Sequence, residues 1–150
     1  MKFLHISTGD NRGAFSGAYR LHQNLQACGH ESLMFVGHKT TSDPTVLAPS
    51  MACQRIRFFL EKVSSQLAKR LFGLDVQVSR IFKLNMAFAP LRGALGKIID
   101  FQPDLIIVYY VADFISEQQI LKIQQAAKAP VVFYLMDMGM LTGACHYAWD

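Results

Sequence analysis

At 150 residues the chain has the length of about one domain, and with 51% hydrophobic against 17% charged residues it is too apolar for a disordered segment. Its charge, 15 basic less 11 acidic residues or +4, admits an anionic partner such as a phosphate or a lipid headgroup and demands none. No run approaches the roughly 18 apolar residues of a membrane span, and Cys28, Cys53 and Cys145, odd in number and unpatterned, supply no disulfide framework and point to a reducing cytoplasm.

The opening "MKFLHIST" holds one lysine and an apolar run too short for a signal peptide, so residues 2 to 7 read as a buried parallel strand. A loop over residues 8 to 17 carries Gly9, Gly13 and Gly17. Ala14, Ala18, Leu21, Leu25 and Cys28 then recur at helical spacing, and Gly29 stands where a left-handed C-terminal cap belongs. "SLMFVG" (32 to 37) is the second strand, followed by a polar loop over 38 to 50 with two prolines. Ile56, Phe59, Leu60, Val63, Leu67 and Leu71 mark an amphipathic helix over 55 to 71. Residues 73 to 89 are ambiguous, with a short strand near 80 to 84 as one reading. Leu91, Leu95, Ile98 and Ile99 mark a further helix. Pro103-Asp104 introduces the strand "LIIVYYV", Ser116 and Gln119 form a capping-box pair for a helix over 116 to 128, and Pro130 opens the strand "VVFYLM".

Strands that are continuously apolar and alternate with helices predict an α/β fold with a doubly wound parallel sheet. Such sheets bind ligands outside the carboxyl ends of their strands. Three loops fall there: residues 8 to 17, residues 109 to 115, and the segment from Asp137 onward.

In the first loop, glycines let backbone N–H groups approach an anion, and the following helix N-terminus adds partial positive charge. The order is not Gly-x-Gly-x-x-Gly. A dinucleotide site also expects an acidic residue at the end of the second strand, where this chain reads Phe35-Val36-Gly37-His38. The bland alternative is a flexible turn feeding a helix. In the terminal segment, adjacent Cys145 and His146 suggest a nucleophile or metal ligands, yet neighbours in an extended strand point opposite ways and two further ligands are not evident. A packed loop with a satisfied histidine accounts for them as well. The helix over 55 to 71 has Arg55, Arg57, Lys62, Lys69 and Arg70 against Glu61. That face suits an anionic membrane surface, or is a solvated face beside core. No nucleic-acid module is recognisable, so nucleic acid is not expected as a partner.

Three blocks in order resemble the family 4 glycosyltransferases, retaining enzymes of the GT-B fold. "RGAFSGAYRLHQNLQACGHESLMFVG" is similar to their first loop, helix and second strand, including Arg20-Leu21-His22. "FQPDLIIVYYVADFIS" resembles their Pro-Asp strand with its aromatic pair, Tyr109-Tyr110. "APVVFYLMDMGMLTGACHY" resembles a segment that usually reads close to Leu-His-Asp-Met-Trp-Pro-x-Thr-Gly-Gly-Cys-His-Tyr. The chain departs from that pattern: Met136 replaces the histidine before Asp137, Gly139-Met140 replaces Trp-Pro, and Ala144 replaces the second glycine of the closing motif. The first loop keeps Gly13-Ala14 without the neighbouring glycine.

The resemblance implies a Rossmann-like N-terminal, acceptor-side domain over residues 1 to 150, one half of a GT-B pair whose donor-binding half lies outside this chain. It implies transfer of a sugar from a nucleotide-sugar donor to a saccharide or lipid-linked acceptor with retention, without a metal or other cofactor. Asp137 takes the catalytic role. Gly13, Ala14, Tyr109, Tyr110, Thr142 and His146 are the expected donor and acceptor contacts. The expected location is cytoplasmic, peripheral at the inner face of the membrane. The rival class is a non-enzymatic binding or regulatory domain on the same fold, and a nucleotide-binding oxidoreductase is disfavoured by the missing acidic residue.

Overall fold

Five parallel strands make one sheet in the order β3-β2-β1-β4-β5. The computed structural model describes residues 1–11, 13–50, 93–111 and 114–135, with the isolated positions 63, 66 and 70. In chain order the elements are β1 (Lys2–Gly9), α1 (Ala14–Ala27), β2 (Glu31–His38), β3 (Val46–Leu47), α2 (Ala94–Phe101), β4 (Leu105–Val108), α3 (Glu117–Ala127) and β5 (Val131–Phe133). This is an α/β, Rossmann-like arrangement. The helix expected over 55 to 71 and the ambiguous segment to residue 89 fall outside the described residues, apart from those isolated positions.

β1 lies at the centre and pairs with β2 from Lys2↔Glu31 to Gly9↔His38, and with β4 from Phe3↔Leu105 to Ile6↔Val108. Its residues alternate between two buried faces, the reason its sequence reads as one continuous apolar run. Leu4 and Ile6 join Phe35, Ile106 and Val108 under α2 and α3, which contribute Ala94, Ile98, Ile120 and Ile123. Phe3 faces the other way with Met34, Val36, Val46, Ile107 and Tyr109, under Ala18, Tyr19, Leu21 and Leu25 of α1. From the centre the chain steps outward to β2 and β3, returns, and steps the opposite way to β4 and β5. Crossovers of one hand that step in opposite directions set their helices on opposite faces, as α1 and α3 are here.

The helix ends follow local chemistry. The α1 C-terminus closes at Cys28 and Gly29, whose φ of 81° is the left-handed conformation that glycine adopts freely. Ser116 caps α3: its side chain accepts from the Gln119 N–H, and Gln119 Oε1 accepts from the Ser116 N–H at 3.0 Å. β3 is an addition to the expected plan. Two residues inside the loop over 38 to 50 pair with Met34 and Phe35 and extend the sheet by one short strand. The run "LIIVYYV" is strand only to Val108, although ladder bonds continue: the Tyr109 N–H donates to Ile6 and the Thr8 N–H to Tyr110, both at 2.9 Å. Among the described residues no helix is long and apolar enough to cross a membrane.

Candidate functional site

The strand order reverses between β1 and β4, and the crevice of a doubly wound sheet opens outside the carboxyl ends of those two strands. Thr8, Gly9 and Asp10 arrive there from β1 and Tyr110 from β4. Thr8 binds the Tyr110 carbonyl through its N–H at 2.9 Å and its hydroxyl at 3.1 Å. The Phe15 ring of α1 packs on the Tyr110 ring, 6.2 Å between centroids, and lies against Gly9, where an added Cβ would come within 3.0 Å of it.

The turn into α1 is shorter than the eight-to-seventeen loop expected. Gly9 ends β1 and Gly17 already lies within α1, so the turn proper is Asp10 to Gly13. Gly13 is the N-cap at φ 53° and ψ −131°, a conformation that disfavours any side chain, although a Cβ there would meet nothing within 4 Å. Ala14 opens the helix. Among the described residues no side chain caps α1, and no acidic residue stands in its first turn. In the first turn of α1 the Ser16 N–H donates to the Gly13 carbonyl at 3.2 Å, while the N–H groups ahead of it have no acceptor within the helix. This end of α1 therefore presents donors and partial positive charge at the crevice. Ser16 folds its hydroxyl back onto the Gly13 carbonyl at 2.7 Å, which tightens the turn.

The two tyrosines expected at the site part company. Tyr110 is half-buried beside Phe15 at the crevice. Tyr109 is 2% exposed on the α1 face, where its hydroxyl shares a 2.9 Å hydrogen bond with His5 Nδ1. His5, fully buried, sits 5.6 Å from His22 ring to ring. Burial, and then the neighbouring His22, lower the His5 pKa to about 3, so this imidazole is neutral at ordinary pH. Among the described residues its Nε2 and the Ser7 hydroxyl have no hydrogen-bond partner.

His22, matched in the family-like Arg-Leu-His stretch, is a bolt between α1 and the sheet. Its Nδ1 meets Ser32 Oγ at 2.7 Å and its Nε2 meets Thr45 Oγ1 at 2.9 Å, with Asp43 Oδ2 3.8 Å away. Tyr19 donates to the same Asp43 oxygen at 3.1 Å. A serine, a histidine and an aspartate thus lie together, but His22 is fully buried and Ser32 nearly so, and the group holds structure rather than offering a nucleophile to solvent.

At the end of β2, where a dinucleotide site would place an acidic side chain, Gly37 is covered by Phe114. A Cβ on Gly37 would lie 2.8 Å from the Phe114 ring and 3.0 Å from the Thr8 carbonyl oxygen. The absence of that acid, read from the sequence, is matched by a packed aromatic at the same place. Asp137, Thr142, Cys145 and His146 lie outside the described residues. Sequence reasoning missed Asp10, a 1% exposed carboxylate held by Thr40 and Thr41. Its partners stand thirty residues on, and no local pattern marks them.

Comparison of the chain with protein-family models, with curated proteins and with solved structures finds no match.

Proposed function

We propose that the chain is the acceptor-side, Rossmann-like half of a GT-B glycosyltransferase that transfers a sugar from a nucleotide-sugar with retention. The observation that carries this reading is the positive-φ Gly13 at the β1/β4 crevice, followed by an α1 N-terminus that no side chain among the described residues caps. Backbone donors so placed suit a leaving diphosphate, whose negative charge grows as the glycosidic bond breaks. The likeness of residues 12–37, 101–116 and 129–147 to family 4 glycosyltransferases supports the same reading. Within it, Asp137 acts on the reacting sugars, His146 and Thr142 hold the acceptor, and Tyr110 lines the crevice. Tyr109 belongs to the packing under α1. Phe114 over Gly37 counts against the oxidoreductase alternative.

A GT-B site lies between two domains, so one wall binds the donor weakly, on the order of millimolar or about 4 kcal/mol. Titration of the isotope-labelled chain with UDP-glucose and GDP-mannose tests this by amide chemical shifts. Saturable shifts centred on Gly13, Ala14 and Phe15 are expected. Shifts absent at tens of millimolar ligand, or centred away from this turn, would sink the proposal and leave a non-enzymatic binding domain as the better reading.

A further inference from the structure

The segments that follow β1 and β2 meet at one carboxylate. Asp10 Oδ1 accepts from the Thr40 N–H at 2.9 Å and the Thr40 hydroxyl at 2.8 Å. Its Oδ2 accepts from the Thr41 N–H at 2.9 Å and the Thr41 hydroxyl at 2.7 Å, and shares the Thr40 N–H at 2.9 Å. Among the described residues no cation pairs with it. A charge 1% exposed is thus met by the dipoles of two consecutive threonines, an arrangement of short, charge-assisted bonds. Burial pushes the Asp10 carboxyl up, but the Thr41 and Thr40 donors outweigh it and hold it below the ordinary carboxylate range.

We infer that Asp10 is a positioning residue: its carboxylate clamps the Thr40–Thr41 turn to the β1–α1 turn and so holds Gly13 in the conformation that receives a diphosphate. The inference rests on the function proposed above. Two residues separate Asp10 from Gly13 in the sequence, so the anchored carboxylate and the α1 N-cap are near neighbours along the chain. The Gly13 end is fixed by α1. From the β4 side, Thr8 is held by the Tyr110 carbonyl. Beyond Thr41 the chain closes on itself, with Lys39 Nζ on the Asp43 and Val46 carbonyls. Tyr19 and His22 hold Asp43 and Thr45 of the same segment to α1 itself, and Asp10 adds a tie to the turn before that helix. An amide in its place would present an NH₂ donor to groups that are themselves donors.

Amide exchange, ¹⁵N relaxation and UDP titration on the chain and its Asp10→Asn, Thr41→Val and Thr41→Ser variants test the clamp. In Asp10→Asn, exchange at Thr40 and Thr41 should rise about tenfold, Gly13 and Phe15 should lose backbone order, and UDP affinity should fall about tenfold. Leu4, Phe35 and Ile107 should keep their protection. Thr41→Val should change the same readouts by less, and Thr41→Ser should restore them; should Asp10→Asn unfold the sheet, this pair decides. Unaltered Gly13 order and UDP affinity in Asp10→Asn or, failing that, in Thr41→Val would overturn the inference. The expected exchange pattern in a chain that binds no UDP would uphold the clamp and refute the glycosyltransferase reading.

Discussion

His5 and Tyr109 stand 104 residues apart and meet under α1 as a buried polar pair, beside the buried His22 and Ser32. A histidine held neutral by burial makes stability depend on pH in a definite sense. The unfolded imidazole takes a proton near pH 6.5, whereas the folded one does so only near 3. Between those values the unfolded state binds more protons, so stability falls as pH falls, by about 1.4 kcal/mol per unit. Across the window the loss is on the order of 4–5 kcal/mol, and it is complete below the folded value. His22 adds in the same direction, burial lowering its pKa and Asp43 opposing. Replacing His5 alone would strand the Tyr109 hydroxyl at a cost of about 1–3 kcal/mol, while removing both polar partners together is close to neutral. We therefore expect His5→Phe/Tyr109→Phe to match the parent within about 1 kcal/mol at pH 7 and to exceed it clearly at pH 4.5. Urea unfolding at the two pH values reads this. An unchanged acid limb would mean that His5 is not the group that titrates.

At the scale of elements, α3 shows how local chemistry becomes stability. Ser116 is buried at the helix start and exchanges hydrogen bonds with Gln119 in both directions. Ser116→Ala should cost about 1 kcal/mol in chemical denaturation, and Gln119→Ala less than that; a loss under a few tenths would show that the cap is satisfied by other groups. This pair was readable from sequence because cap and partner lie three residues apart. Gly29 was readable for the same reason, its left-handed φ being a one-residue property. β3 was not: Val46 and Leu47 stand between Pro44 and Pro49 and become strand only because the edge of β2 offers them a ladder. The reach of "LIIVYYV" was overread, since apolar character marks burial and not where a strand stops. Around the candidate site, the helix start at Gly13 and Ala14 was legible from the periodicity that follows it, whereas the different exposure of Tyr109 and Tyr110 follows from alternation along an extended chain and was not read. Asp10 with Thr40 and Thr41, and His5 with Tyr109, are contacts made by the fold, and no spacing in the sequence encodes them.

For the molecule as a whole, the parallel sheet gathers every strand's carboxyl end on one edge, with the β1/β4 crevice at its centre. If that crevice serves a lipid-linked acceptor, the protein must approach a bilayer, and its excess of basic residues gives the approach a direction. The formal charge is +4, and residues 55 to 71 hold Arg55, Arg57, Lys62, Lys69 and Arg70 against Glu61 alone. Basic residues near an anionic surface contribute about 1 kcal/mol each, and the attraction decays over a Debye length of about 8 Å at physiological salt. The chain should therefore sediment with phosphatidylglycerol-containing vesicles at low salt, release as salt rises, and ignore pure phosphatidylcholine. Arg55→Gln/Arg57→Gln/Lys62→Gln removes three of the five charges and should weaken binding roughly a hundredfold, about 3 kcal/mol. Binding insensitive to those substitutions would place the contact elsewhere on the surface. A chain that stays in the supernatant with anionic vesicles at low salt has no such surface, and a soluble saccharide would then replace the lipid-linked compound as the expected acceptor.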